Sequence, residues 1–174
     1  ESFVPYVRYC SRIRRCPSNP TAYKEIPASQ VKKAEQPKKV LVIGGGPSGM
    51  EAAAELAERG HHVILCEREN ELGGAMRHAK YVPFKQKVDQ LMHVMIRRLE
   101  RSGAEIRLRT AATPTLVESL HPDVIVAALG AKAKKPEVAG AEHAIIAEDA
   151  LQRIDSLGQN VAIVGGGLVG CELA

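Results

Sequence analysis

Residues 40 to 67 read VLVIGGGPSGMEAAAELAERGHHVILCE. The opening apolar run predicts a strand over residues 40–43, and VILC at 63–66 predicts a second; unbroken apolar runs of this length suit strands covered on both faces. Between them a helix is expected from about Ser48 to Arg59, closed by Gly60. Gly44, Gly46 and Gly49 stand between strand and helix as a GxGxxG turn. In such a turn the first glycine permits the tight bend, the second lets the backbone approach a diphosphate, and the third lets helix and strand pack closely. The N–H groups and positive dipole end of the following helix then face the diphosphate. Gly44, Gly46, Pro47, Ser48 and Gly49 are therefore candidate nucleotide contacts. Ala53 is small one turn into the helix, and Glu67 ends the second strand 23 residues beyond Gly44, where an acid can accept hydrogen bonds from ribose hydroxyls. The turn lacks the Gly-Lys-Ser/Thr ending of a P-loop, which argues against an NTPase.

The alternation of strand and helix continues. Val88, Leu91, Met92, Met95, Ile96 and Leu99 follow one helical face and Gly103 ends that helix; the methionines read as core packing. A third strand is expected over Glu105 to Arg109 with Ile106 and Leu108 inward, then a turn or short helix over Thr115 to Leu120. DVIVAAL at 123–129 predicts a fourth buried strand, Pro136 and Gly140 mark a linker, and VAIV at 161–164 predicts a fifth strand. The pattern calls for an α/β fold, a Rossmann-like three-layer sandwich around a parallel sheet.

A length of 174 residues suits one domain. Apolar residues at 45% and charged residues at 25% are ordinary for a soluble globular protein; no run reaches the ~18 apolar residues of a membrane helix, and the start is no secretory signal, so a cytoplasmic setting is the default expectation. Of the net charge of +4, residues 1–39 carry 9 Lys/Arg against 3 acids, leaving 15 against 17 for the rest. The basic character therefore belongs to a proline-containing lead-in, best read as solvated, with no nucleic-acid motif. Cys66, in a strand, and Cys171, at a helix start, read as small apolar residues. His61, His62, His78 and His93 show no ligand spacing, and a homo-oligomer is left open.

Residues 44–74, GGGPSGMEAAAELAERGHHVILCERENELGG, resemble the FAD fingerprint of flavoproteins with two dinucleotide-binding domains, whose acid is followed by a Gly-Gly pair. The resemblance implies FAD, with Glu67, its neighbour Arg68, Gly73 and Gly74 at the cofactor. DVIVAALGAKAKKP resembles the strand that passes the flavin before the chain crosses to an NAD(P)H domain, implying contacts from Ala128 and Gly130; Leu129 departs from the family's usual threonine. VAIVGGGLVGCELA resembles the opening of that second domain, implying roles for Gly165, Gly167 and Gly170 and including Glu172.

Within this group the sequence is most similar to the carboxy-terminal half of NADH:flavin oxidoreductases related to 2,4-dienoyl-CoA reductase and trimethylamine dehydrogenase. CPSNPTAYKE is similar to their C-x-x-N-P signature, which implies Cys16 as the last ligand of a [4Fe-4S] cluster. A cubane needs four thiolates, and only Cys10 precedes Cys16, so the remaining ligands lie in a preceding domain or the cluster is lacking in this member. The implied division is an extended lead-in over 1–39, the first part of an FAD domain over 40–152, and a truncated start of an NAD(P)H domain over 153–174. The implied activity passes electrons from NAD(P)H through FAD toward an iron–sulfur cluster and FMN held by an upstream barrel domain. Two other classes stand beside it: a module holding ADP as a structural plug, and an NAD-dependent dehydrogenase, for which too few residues follow Ala131. A disulfide reductase is disfavoured because no CxxC or CxxxxC follows the glycine pair. Residues 161–164, left without the rest of their domain, are expected to dock on the FAD sheet of this chain or of a neighbouring copy.

Overall fold

The computed structural model describes residues 31–174. Strands β1 (Lys39–Ile43), β2 (His62–Cys66), β3 (Glu105–Arg107) and β4 (Val124–Ala127) form one wholly parallel sheet in the order β3-β2-β1-β4. Helix α1 (Pro47–Glu58) joins β1 to β2, α2 (Gln86–Ser102) lies between β2 and β3, and α3 (Pro114–Leu120) lies between β3 and β4. Two short helices follow, α4 (Ala147–Gln152) and α5 (Leu168–Leu173).

Successive residues of a strand point to opposite faces, and the core divides accordingly. Val40, Val42, Val63 and Leu65 are buried with Met50, Ala53 and Ala54 of α1 and Met92 and Leu99 of α2. Leu41, Ile64 and Cys66 face the other way, toward Leu116, Val117 and Leu120 of α3. The result is the expected three-layer α/β arrangement. Ala53 and Ala54 let α1 approach the sheet closely, and Arg98 of α2 braces α1 from outside through Glu51 at 2.6 Å, Glu58 at 2.8 Å and Glu55 at 3.1 Å. Gly103, at φ +87°, ends α2 in the left-handed conformation that glycine adopts without cost. Before β1, Ala34 donates to the Arg59 carbonyl at 2.9 Å and Lys38 to Nδ1 of His61 at 3.1 Å, so the end of the lead-in lies along the exit of α1.

Four expectations are corrected. The third strand stops at Arg107, and Leu108 is exposed, because the chain turns to grip the exit of β2: Arg109 donates to the Glu69 carbonyl and Thr110 to the Glu67 carbonyl, both at 2.8 Å. The fourth strand is not buried; among the described residues β4 pairs only with β1, at the sheet edge, and Val124 and Ile125 are exposed. Among the described residues VAIV at 161–164 belongs to no strand and does not dock on this chain's sheet, and Val161 and Val164 are exposed. A strand is defined by its ladder partners, and apolar sequence alone supplies none. Cys171 is exposed rather than packed as a small apolar residue. Helix α5 is instead tethered by a 2.6 Å ion pair between Glu172 and Lys85, the last residue of a 3₁₀ turn at Pro83–Lys85. None of the helices among the described residues is long and apolar enough to cross a membrane.

Candidate functional site

The strand register aligns Ile43 with Cys66 and Ala127, and Cys66 with Arg107. Gly44, Glu67, Leu108 and Ala128 therefore leave the sheet side by side at its carboxyl edge. At β1 the strand order reverses, with β2 on one side and β4 on the other. In open α/β sheets such a crevice is where ligands bind.

The fingerprint glycines divide by what a side chain would meet. Gly44 has φ +109°, and a Cβ on it would collide with the Ala128 carbonyl oxygen. A Cβ on Gly49 would collide with the Gly44 carbonyl oxygen and lie 3.3 Å from the Cβ of Ala128. Gly45, the middle residue of the triplet, would press on Leu72 at 2.6 Å and on Glu67 at 3.0 Å. Gly46 differs: its φ of −73° is open to any residue, and the nearest atom to a Cβ there is the Gly74 Cα at 3.9 Å. The protein's own packing therefore does not require a glycine at 46, the position at which a GxGxxG turn lets the backbone approach a pyrophosphate.

Pro47 occupies the first helical position, where its missing N–H costs nothing, and no side chain caps α1. The Met50 amide takes the Gly46 carbonyl at 2.9 Å, so the N–H groups of Ser48 and Gly49 precede the intrahelical ladder and point out of the helix start. Ser48 itself is exposed. These donors and the dipole suit an anion.

Glu67 is only 7% exposed. Its Oε2 accepts the Gly45 N–H at 2.6 Å and its Oε1 accepts the Glu69 N–H at 2.9 Å. Each carboxylate oxygen has two lone pairs, so both retain capacity for a hydroxyl donor. Arg68 is turned to solvent and paired with Glu69 at 3.1 Å, away from the enclosed carboxylate.

Gly73 and Gly74, at φ +112° and +53°, come directly against the fingerprint. Gly73 donates to the Gly45 carbonyl at 2.8 Å, and a Cβ on Gly74 would lie 3.0 Å from the Gly46 Cα. On the β4 side, Ala128 donates to the Ile43 carbonyl at 2.8 Å; Leu129 is 74% exposed, and Gly130, at φ +68°, has nothing packed on it. The structure thus gathers Gly44, Gly46, Pro47, Gly49, Glu67, Gly73, Gly74 and Ala128, and leaves Arg68 and Gly130 at the periphery.

Gly165, Gly167 and Gly170 form a turn of their own. Gly165 has φ +114°, a Cβ on Gly170 would collide with the Gly165 carbonyl oxygen, and the Cys171 amide takes the Gly167 carbonyl at 2.9 Å. Cys16 lies outside the described residues, within which no group of three or more His, Cys, Asp or Glu side chains is placed to hold a metal ion. Burial pushes the Cys66 thiol above its ordinary range, and the thiol belongs to the α3 side of the core while the Cys66 carbonyl accepts the Gly44 N–H at 2.8 Å. Sequence reasoning passed over Gly45, whose place in an unbroken glycine triplet was a usable signal, and Leu72 and Arg77, for which no periodic signal exists.

Three comparisons bear on this site. The model of the FAD dependent oxidoreductase family matches residues 39–164. An NADH oxidase of Thermoanaerobacter brockii is 39% identical, the match covering 92% of this chain and 26% of that protein. A cinnamate reductase of Clostridium sporogenes is likewise 39% identical, over 91% of this chain and 24% of its own length. Among solved structures, a 2-naphthoyl-CoA reductase in complex with 2-naphthoyl-CoA superposes with a TM-score of 0.82 at 31% identity, over 92% of this chain and 25% of that one. The chain spans about a quarter of the length of these relatives.

Proposed function

Because the chain belongs to the FAD-dependent oxidoreductase family, we propose that it is the FAD-holding module of an NAD(P)H-dependent flavin oxidoreductase that passes electrons toward an iron–sulfur cluster and FMN in an upstream domain. FAD is the cofactor of the matching family, and the structural observation that carries the nucleotide reading is Gly46. It is a glycine that the protein's own packing does not require, set between the unladdered amides of α1 and the Gly73–Gly74 pair. The residues present fit the adenosine diphosphate part of the cofactor. Ser48 and Gly49 would donate to the diphosphate, Gly46 would allow its approach, and Glu67 would accept from the ribose hydroxyls. Gly73–Gly74 and Ala128 would border the remainder.

FAD, when bound, supplies exchange between the two-electron chemistry of a nicotinamide and the one-electron chemistry of an iron–sulfur centre. The protein's part is to bind, orient and exclude water, and no side chain here is assigned an acid–base role. Residues 153–174 are read as the start of the NAD(P)H-binding unit, with Gly165, Gly167 and Gly170 its phosphate turn, and Cys16 as a cluster ligand of the longer protein.

The test is to incubate the purified chain with FAD, remove free nucleotide by gel filtration, and identify what is retained. A yellow protein releasing FAD supports the reading. A colourless protein that retains ADP and refuses FAD supports a structural nucleotide module instead, and retention of neither overturns both.

A further inference from the structure

Arg77 sits three residues beyond the glycine pair and reaches back over it. Its Nε donates to the Gly74 carbonyl at 3.1 Å, and a terminal guanidinium nitrogen pairs with Glu71 at 2.7 Å. The aliphatic stem lies on Gly73, where a Cβ would come within 2.8 Å of the Arg77 Cγ. The Arg77 side chain is 22% exposed and Glu71 59%, so the covered anchor is the bond to the Gly74 carbonyl, and the pair with Glu71 lies at the surface. Glu71 and Gly74 flank the turn, and one guanidinium holds both ends.

What the clamp holds is the wall of the nucleotide crevice. Gly73 donates to Gly45 and Gly74 packs on Gly46, so contacts run from Arg77 through the glycine pair to the fingerprint. Both glycines are in left-handed conformations outside the sheet, Gly73 preceding and Gly74 opening a 3₁₀ helix over Gly74–Tyr81 that carries Arg77. Glycine is the residue that loses most freedom on being fixed, so a Gly-Gly turn needs an external restraint to stay in one conformation. A planar guanidinium anchored at two points is a restraint that a lysine ammonium cannot reproduce.

We propose that Arg77 is a positioning residue for FAD, holding Gly73 and Gly74 against Gly45 and Gly46 so that the crevice is formed before the cofactor arrives. This rests on the FAD reading above. The experiment uses the whole chain with Arg77→Met, Arg77→Lys and Glu71→Gln, each checked by thermal melting, and has two readouts: hydrogen exchange of the Gly73 amide without cofactor, and FAD dissociation followed by flavin fluorescence. Arg77→Met is expected to expose the Gly73 amide and to release FAD about tenfold faster, the scale of one lost charge-assisted hydrogen bond. Arg77→Lys should fall between, and it carries the comparison if the methionine variant does not fold. Glu71→Gln keeps the bond to Gly74 and should stay within about threefold of wild type. Release at the wild-type rate from Arg77→Met, or unchanged Gly73 exchange, overturns the proposal while leaving the FAD reading intact. A wild-type chain that holds no FAD overturns the reading itself and the proposal with it.

Discussion

Glu67 and Gly45, 22 positions apart in sequence, are joined by a 2.6 Å hydrogen bond from the glycine amide to the buried carboxylate. The turn at the helix start and the acid at the end of β2 are therefore one unit. Replacing Glu67 by alanine removes the acceptor for both the Gly45 and Glu69 amides. A loss of about 2 kcal/mol is expected, since a buried donor deprived of a charged acceptor costs roughly 1–3 kcal/mol. Glu67→Gln keeps one acceptor oxygen and should lose about half as much. Urea denaturation without cofactor measures both, and an alanine variant as stable as wild type would refute the coupling.

Gly46 and Gly49 should fail in different ways. Alanine at 49 overlaps the Gly44 carbonyl oxygen and should cost about 1–3 kcal/mol of stability as the helix start is pushed from the strand. Alanine at 46 meets only the Gly74 Cα at 3.9 Å, an ordinary contact, and should leave the cofactor-free melt within about 0.5 kcal/mol of wild type. Yet it should weaken FAD retention at least about tenfold, because the methyl group would stand in the proposed path of the diphosphate. Equal effects of the two changes on stability would contradict this division.

Arg98 makes the α1–α2 contact pH-dependent. The guanidinium holds the Glu58 carboxyl below the ordinary glutamate range, chiefly by a direct hydrogen bond. A carboxyl lowered in the folded state contributes stability above its unfolded value, about 4.3, and loses it as pH falls through the lower folded value. Arg98→Met should cost about 1 kcal/mol near neutrality, discounted for the partial exposure of the cluster, and the gap to wild type should close in acid and shrink in high salt. Melting curves of the two proteins across acid pH report this, and a gap that widens in acid would refute it.

The two cysteines among the described residues should react unequally. Cys66 is buried with its thiol raised by desolvation, while Cys171 is exposed on α5. Because the thiolate is the nucleophile, iodoacetamide at neutral pH should label Cys171 in the native chain and reach Cys66 only on unfolding. Peptide mass spectrometry resolves the two sites, and native labelling of Cys66 would contradict the packing of β2 under α3.

Much of the site was legible because its requirements are local. Strand β1, helix α1 and strand β2 fall within a residue or so of their expected bounds, since unbroken apolar runs, a glycine turn and a glycine stop each act over a few residues. The Gly45–Glu67 bond, the seating of Gly73 on Gly45 and the reach of Arg77 over the glycine pair were not legible, because each joins groups that no period relates. The exposure of β4 was hidden for a similar reason: VIVA reads alike in the middle of a sheet and at its edge.

The two glycine turns of this chain separate local from tertiary most plainly. Gly44 and Gly165 adopt φ of +109° and +114°, Gly46 and Gly167 begin their helices in the same extended conformation, and Met50 and Cys171 make the same 2.9 Å bond back to them. Sequence alone determined both turns, because steric exclusion at Cβ and the first helical hydrogen bonds act within six residues. Only the tertiary structure decided that VLVI at 40–43 is a central strand while VAIV at 161–164 is none. A strand's amides and carbonyls are satisfied by neighbours, and β1 has β2 and β4 on either side, whereas 161–164 has no ladder partner among the described residues.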